Sequence, residues 1–140
     1  MIKVKHLTES ARTPTRATSG AGAFDLYASE DTLILPVSSA VIGTGIALEI
    51  PPGWMGLMSH RSSMAFKLDC IASLGYVDAD FRGEVKVKLF NLGNDGVYIK
   101  AGDRIAQIAF IETYQGNQLE LVEDLTSTKR NVGGMGSTGK

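Results

Sequence analysis

Cysteine, surplus charge and long apolar runs are all scarce in this chain, and each scarcity argues against a class of protein. The single cysteine, Cys70, cannot form an internal disulfide, which favours an intracellular protein. The net charge of −1 argues against a non-specific nucleic-acid binder, because such a protein carries a basic surplus. No apolar run approaches the roughly 18 residues of a membrane span, and the N-terminal MIKVKHLTES lacks the apolar core of a signal peptide. We therefore expect a cytoplasmic protein (in the host cytoplasm if the chain is viral) that binds neither nucleic acid nor membrane.

Sustained helical periodicity is missing too, and Ser62–Leu68 can form one or two helical turns at most. The 140 residues, 44% of them hydrophobic, suffice for one domain with a real core. The 16 glycines and four prolines separate short alternating or β-branched runs, which favours an all-β sandwich, barrel or jelly roll. The predicted strands are Lys3–Leu7, Thr32–Leu35, Ala40–Ile50, Cys70–Val77, Glu84–Phe90 and Arg104–Ile111.

The C-terminal segment Arg130–Lys140 is rich in glycine, serine and threonine, with a basic residue at each end. Backbone N–H groups, hydroxyls and positive charge together suit a phosphate chain. Residues 134–140 match most of a P-loop, but no strand precedes them and no helix follows. We therefore predict a β domain over residues 1–125 and, over residues 126–140, a flexible arm that closes over phosphates.

Two segments carry groups suited to phosphates and a cation. In Ala21–Ala28, Asp25 either faces solvent beside a turn or helps to hold a hydrated divalent cation. The run Arg61-Ser62-Ser63 offers a guanidinium fork, hydroxyls and backbone N–H groups that can grip a phosphate. The same three residues can equally form a capped turn, with the hydroxyls bound to the backbone.

Two further segments carry groups suited to proton transfer and polar binding. In Gly75–Glu84, Asp78 and Asp80 project to the same side if the backbone is extended. One of these carboxylates can activate a water while the other pairs with Arg82 or a metal ion, although an acidic turn without function is also common. Gln107 interrupts an apolar strand, so it is either solvated or buried with a hydrogen-bonding role.

These segments resemble the motifs of one known family when their order and spacing along the chain are considered together. With the glycine arm they form five ordered motifs, and the chain resembles the trimeric dUTP diphosphatase (dUTPase) family over nearly its whole length. The five matching segments are Ala21–Ala28, Arg61–Ala65, Gly75–Glu84, Gly102–Gln107 and Arg130–Gly139.

The resemblance implies a jelly-roll-like β domain (β-clip, dUTPase-like) that forms a homotrimer. Each of three active sites would take the third motif from one subunit, the first, second and fourth from another, and the exchanged C-terminal arm from the third. The implied reaction is hydrolysis of dUTP to dUMP and pyrophosphate, which limits uracil in DNA and supplies dUMP for thymidylate synthesis.

The resemblance also implies residue roles. Asp78 would be the general base for water attack on the α-phosphorus, and Mg²⁺ would bind the triphosphate while Asp25 and Gln107 hold its waters. Uracil would be read by the main chain of a hairpin, and the arm would clamp the γ-phosphate. The residues implied to bind dUTP are Arg61, Ser62, Ser63, Gly75, Tyr76, Val77, Phe81, Lys86, Gln107, Arg130, Met135, Gly136, Ser137 and Thr138.

Three residues depart from the family pattern. Met135 stands where an aromatic residue usually stacks on uracil, and Phe81 replaces a tyrosine beneath the deoxyribose. Ala72 replaces an asparagine three residues before the glycine of the third motif. These changes affect contacts to the base and sugar, whereas the groups for hydrolysis are all present.

Other functions remain as alternatives. A related family deaminates dCTP on a similar fold, but this chain has no H-x-E with a C-x-x-C pair. A nucleotide-sensing module could bind dUTP and signal through ordering of the arm, although the presence of Asp78 argues against a purely non-catalytic role. A structural β trimer would not need Arg61, Asp25, Gln107 and a glycine arm together.

Overall fold

The computed structural model describes residues 1–116 and 119–133, and in these ranges the chain is almost entirely β-structure. Within them one helix, α1 (Ser62–Leu68), stands among ten strands, and it is too short to cross a membrane. The strands are β1 (Lys3–His6), β2 (Phe24–Tyr27), β3 (Thr32–Ile34), β4 (Ser38–Glu49), β5 (Trp54–Ser59), β6 (Cys70–Ala72), β7 (Gly75–Val77), β8 (Glu84–Asn91), β9 (Val97–Ile99) and β10 (Arg104–Glu112). The expected all-β fold is confirmed.

In the described part of the chain, two four-stranded antiparallel sheets enclose a common core. Their strand orders are β1-β4-β8-β6 and β2-β10-β5-β7, and β3 and β9 form a separate two-stranded sheet. Burial alternates along β8, so Val85 and Val87 point into the core while Lys86 stays exposed. Burying each such aliphatic side chain stabilises the fold by roughly 1.5–3 kcal/mol. The alternating pattern of the sequence is therefore what orients this sheet.

Most predicted elements are confirmed. Helix α1 has the predicted bounds, and five of the six predicted strands agree to within two residues at either end. The sixth, Cys70–Val77, is wrong as a single strand. Strand β6 pairs with β8, whereas β7 pairs with β5 in the other sheet. The chain leaves the first sheet at Ser73, whose amide donates to the carbonyl of Lys88 at 2.9 Å.

Strand β4 bulges where it faces the start of β8. The register shifts between Gly43 and Ala47, so β4 holds extra residues there. Gly45 has a φ of +67°, a conformation that favours glycine. Its amide donates to Oε1 of Glu84 at 3.0 Å. The bulge therefore holds the first residue of β8, which borders the site described next.

Candidate active site

Asp25 lies in β2 at the centre of a charged cluster. Its Oδ1 accepts a hydrogen bond from Nε of Arg61 at 2.8 Å, and its Oδ2 lies 3.4 Å from Nη1 of Arg104. The Asp25 amide also donates to the carbonyl of Thr15 at 2.8 Å, which anchors the backbone. The alternative of a solvent-facing Asp25 is excluded because the residue is 9% exposed. One carboxylate facing two guanidinium groups is compensated and leaves the cluster with a net positive charge.

Arg61, Ser62 and Ser63 stand where the chain passes from β5 into α1. The Nη1 of Arg61 donates to the carbonyl of Arg104 at 3.1 Å, so its guanidinium is held on two sides. Ser62 and Ser63 are the first helical residues, and in the described chain no side chain caps this helix. The alternative in which the serine hydroxyls cap a turn is therefore wrong. The serine hydroxyls and the first helical amides remain suited to an anion.

Gln107 lies in β10 directly between Asp25 and Ser59. The strand register pairs it with Asp25 of β2 on one side and with Ser59 of β5 on the other. Paired residues on neighbouring strands project to the same face of a sheet. Gln107 is half-buried, and its Nε2 lies 3.5 Å from Oγ of Ser59. The sheet thus places Asp25, Gln107 and Ser59 side by side on one face.

A cleft of about 280 Å³ opens between β7 and β8. Strand β7 is the outer strand of its sheet, and β8 pairs with β6 only near its far end, through Asn91, Phe90 and Leu89. Each strand therefore has an open edge of backbone N–H and C=O groups. The predicted hairpin is wrong, because β7 and β8 belong to different sheets. The cleft is lined by Met58, Tyr76, Val77, Asp78, Phe81, Glu84, Val85 and Lys86.

Gly75 and Ala72 do not line this cleft. Gly75 faces Met58 in the register, and a Cβ there would lie 2.8 Å from Cε of Met58. The glycine therefore leaves room for a methionine that lines the cleft. Ala72 is buried in β6, so its methyl group packs in the core.

Asp78 and Phe81 bracket the turn that follows β7. The Phe81 amide donates to the carbonyl of Asp78 at 3.2 Å, which closes the turn. The backbone from Asp78 to Phe81 is therefore not extended, and the condition for Asp78 and Asp80 to project to the same side is not met. Arg82 pairs with neither carboxylate in the described chain, since its Nη1 donates to the carbonyls of Ala79 and Phe81. Asp78 is exposed and lines the cleft without a cationic partner among the described residues.

The charged cluster and the cleft form two separate parts within one copy of the chain. Across residues 1–116 and 119–133, no hydrogen bond or ion pair joins Asp25, Arg61 or Gln107 to the residues that line the cleft. In their sheet, β5 lies between β10, which carries Gln107, and β7, which borders the cleft. A triphosphate on the cluster and a base in the cleft are therefore not bridged by contacts within this copy.

The arm is only partly covered by the structure. Arg130 is exposed, and its Nε donates to the carbonyl of Gly133 at 2.8 Å. Thr128 accepts a hydrogen bond from the Asn131 amide at 3.0 Å. Four residues implied to bind the substrate lie outside the described residues: Met135, Gly136, Ser137 and Thr138.

Three residues of these two parts escaped the sequence analysis. Arg104 completes the cluster around Asp25, and its place beside Gln107 in the fourth motif was the available signal. Met58 lies on the same face of β5 as Gly56, and it lines the cleft. Glu84 stands two residues before Lys86, and its Oε2 lies 3.5 Å from the lysine Nζ. The i, i+2 spacing of opposite charges on a strand could have indicated this pair.

Comparison with known proteins decides the family. The dUTPase family model matches residues 9–139. The chain belongs to the dUTPase family. It is 41% identical over 141 residues to the deoxyuridine 5'-triphosphate nucleotidohydrolase of Nautilia profundicola, with 99% of each chain covered. Its identity to the Mus musculus deoxyuridine 5'-triphosphate nucleotidohydrolase is 39% over 139 residues, covering 99% of this chain and 85% of the mouse protein.

Solved structures agree with this assignment. The dUTPase of Staphylococcus bacteriophage 80alpha with dUpNHpp superimposes with a TM-score of 0.93 at 26% identity. The match covers 100% of this chain and 99% of the phage chain. The dUTPase family and fold expected from the five motifs are therefore confirmed.

Proposed function

We propose that this dUTPase-family chain hydrolyses dUTP to dUMP and pyrophosphate, with water attacking the α-phosphorus. This reaction would keep uracil out of DNA and supply dUMP for thymidylate synthesis. The observation that carries the proposal is the meeting of Asp25, Arg61 and Gln107, which come from three distant motifs. Arg61 donates a hydrogen bond to the Asp25 carboxylate, and Gln107 lies beside Asp25 in the strand register. The names of the relatives, which are dUTP nucleotidohydrolases at about 40% identity, support the same activity.

The cleft between β7 and β8 supplies the proposed nucleoside site. Uracil presents carbonyl acceptors and one N–H donor along its edge, and open strand edges offer the complementary backbone groups around Tyr76, Val77 and Lys86. The ring of Phe81 borders the same cleft. In this proposal it packs against the deoxyribose and leaves no room for a 2′-hydroxyl, so that the cleft would recognise both base and sugar.

Asp78 is the proposed general base. Its carboxylate lines the cleft, and in the described residues it forms no ion pair that would occupy its oxygens. A water held within hydrogen-bond reach would pass its proton to this carboxylate as it attacks the phosphorus. Arg61, Ser62 and Ser63 would hold the phosphate oxygens, with the cluster's positive charge stabilising the developing negative charge.

Mg²⁺ is the proposed cofactor, and the donor groups fit a hydrated ion that arrives with the triphosphate. Two guanidinium groups already contact the Asp25 carboxylate, whose remaining lone pairs suit metal-bound water better than direct coordination. The amide oxygen of Gln107 can accept from a second such water. When bound, the ion would neutralise phosphate charge, while Asp25 and Gln107 orient its waters.

We also propose that the working form is a homotrimer that exchanges its C-terminal arms. Large apolar side chains in the segment after β10 are almost fully exposed, Leu119 at 91%, Leu121 at 98% and Leu125 at 87%. Such residues suit burial against another copy of the chain. Arg130, with the glycine, serine and threonine residues beyond it and Met135, would then close over the nucleotide of a neighbouring subunit.

The cytoplasm is the proposed site of action. Cys70 is buried as a free thiol, and burial raises its pKa, which keeps it protonated and unreactive. A lone buried thiol of this kind is compatible with a reducing compartment.

Pyrophosphate release is the direct test. With Mg²⁺, we expect release from dUTP and little from UTP, dCTP or dTTP. Asp78→Asn should lower kcat at least about a hundredfold, since a general base contributes that much or more. Binding of dUpNHpp should change little, because the amide preserves the shape of the residue.

Asp80→Asn is the matched control, because it removes the same charge from the same turn without touching the cleft lining. It should leave turnover near the unmodified rate. Absence of pyrophosphate release from dUTP in the presence of Mg²⁺ would contradict the proposed function.

A further inference from the structure

Arg82 folds back onto the turn that carries Asp78 and Phe81. Its Nη1 donates to the carbonyl of Ala79 at 2.6 Å and to that of Phe81 at 2.9 Å. The turn is closed from within by the hydrogen bond from the Phe81 amide to the Asp78 carbonyl. The Arg82 guanidinium therefore adds two hydrogen bonds to a turn that already has its own backbone hydrogen bond.

The ring of Phe81 is placed by a second contact. A Cβ on Gly83 would lie 2.6 Å from Cζ and 2.9 Å from Cε2 of this ring. The ring therefore lies directly against the main chain of Gly83, one residue beyond Arg82. Its position in the cleft depends on how the chain runs through Arg82.

The carboxylate on which the charge of Arg82 acts is that of Glu49, which among the described residues pairs with Lys3 at 2.7 Å. The hydrogen bond from Lys3 is the main cause that lowers the pKa of Glu49, and the positive charge of Arg82 adds a smaller lowering. Arg82, Lys3 and Glu49 border one groove of about 400 Å³. Asp78 is left without a guanidinium partner in the described chain, as a proton acceptor requires.

We propose that Arg82 is a positioning residue that aims the Asp78 carboxylate and the Phe81 ring into the nucleotide cleft. Arg82 does not line the cleft, and it acts through its hydrogen bonds to the main chain of the turn. The inference rests on the proposed function, because the aim of these two side chains matters only if dUTP occupies the cleft.

The decisive variant is Arg82→Ala, assayed for dUTP and UTP hydrolysis and for dUpNHpp binding. We expect kcat for dUTP to fall about tenfold to a hundredfold, since misplacement by about 1 Å can cost that much. The relative rate with UTP should rise because the ring is less firmly held, while affinity for dUpNHpp should change much less than kcat. Guanidinium ion added at millimolar concentration should restore part of the activity of this variant and none in the unmodified enzyme.

Arg82→Lys should recover much of the rate, because an ammonium still donates to both carbonyls. Arg16→Ala is the matched control, since Arg16 also donates to a turn carbonyl, that of Ser19, away from the cleft. If Arg82→Ala does not fold, Arg82→Met carries the same comparison, because its side chain keeps apolar bulk but donates no hydrogen bond.

An unchanged kcat and UTP-to-dUTP ratio in folded Arg82→Ala would overturn the inference. Asp78→Asn measured in parallel separates the two proposals. Full turnover by Asp78→Asn would refute the proposed base, whereas an inactive Asp78→Asn beside a normal Arg82→Ala would refute only the role of Arg82.

Discussion

At the scale of single residues, the position of the Phe81 ring in the cleft requires that residue 83 has no side chain. The Phe81 ring occupies the space where a Cβ would stand, and the requirement for glycine is one of space, because the close atoms belong to an aromatic ring. Such a ring cannot bend away as the end of a methionine can. The contact therefore links the identity of one residue to the shape of the sugar site.

Gly83→Ala tests this link. The added methyl should push the Phe81 ring from its place, and kcat/KM for dUTP relative to UTP should fall about tenfold, the scale of one methylene in a pocket. Steady-state kinetics with both nucleotides measure the ratio. Gly20→Ala is the control, because a Cβ at Gly20 has no neighbour within 4 Å. A ratio that is equal in both variants would show that the ring does not select the sugar.

At the scale of elements, Asp31 ties the small β3–β9 sheet to the start of β10. Its Oδ1 accepts from the amide of Ala101 and its Oδ2 from the hydroxyl of Tyr98, each at 2.8 Å. The Ala101 amide, and after it the Tyr98 hydroxyl, lower the pKa of the Asp31 carboxyl. Because β10 carries Gln107 in its interior, this junction helps to set the register of the active-site sheet.

Asp31→Asn should make the free energy of unfolding less dependent on pH in the acidic range. The pKa of Asp31 in the folded state lies below its unfolded value, so its contribution is present above the unfolded pKa of about 3.9 and is lost as pH falls through the folded pKa. We expect the unmodified chain to be more stable than the variant at pH 7, with the difference shrinking below pH 4. Urea unfolding at several pH values measures this, and Asp95→Asn is the control because its carboxylate forms no hydrogen bond or ion pair in the described chain. A difference that is constant across this range would show that the charge of the Asp31 carboxylate adds nothing to stability.

At the scale of the whole molecule, one copy of the chain carries two parts of a site that its own contacts do not join. The cluster around Asp25 suits phosphates and the cleft beside Asp78 suits a nucleoside. The exposed leucines after β10 give a physical reason for copies to associate. Both features support the proposal that the sites are completed between copies.

Mixing two inactive variants tests this arrangement. Asp78→Asn and Asp25→Asn should each be nearly inactive alone. In randomly mixed trimers, about a quarter of sites would receive the intact cleft from one subunit and the intact cluster from another, so about a quarter of the unmodified activity should return. Refolding the two variants together and assaying pyrophosphate release measures it. A mixture of Asp78→Asn with Asp78→Ala should recover nothing, and equal inactivity of both mixtures would place the whole site in one copy.

Much of the fold was predictable because its signals are local. The alternation in β8 and the glycine and proline boundaries identify strands, and Ser62–Leu68 emerged as a helix with the expected bounds. The break after Ala72 was not predictable, because β6 and β7 have the same apolar character. The two strands differ in the strand with which each pairs, and the sequence of neither segment specifies that partner.

The candidate site was predictable in its residue types but not in its contacts. Asp25, Arg61 and Gln107 were expected near phosphates from their motifs. The place of Arg104 beside Asp25 depends on the pairing of β10 with β2, which no local pattern specifies. Pairing of Arg82 with an aspartate was one of the alternatives left open by the sequence, but in the tight turn its guanidinium donates to the carbonyl groups of Ala79 and Phe81 instead.

The sequence by itself therefore determined the family, the strand-rich character and the chemical groups available for hydrolysis, because these depend on residue identity and short-range spacing. The tertiary structure alone decided which groups meet. The insertion of β10 between β2 and β5 brings Gln107 beside Asp25, and the separation of β7 from β8 opens the cleft. Such pairings are long-range choices whose free energy depends on both partners at once, so neither segment can reveal them alone.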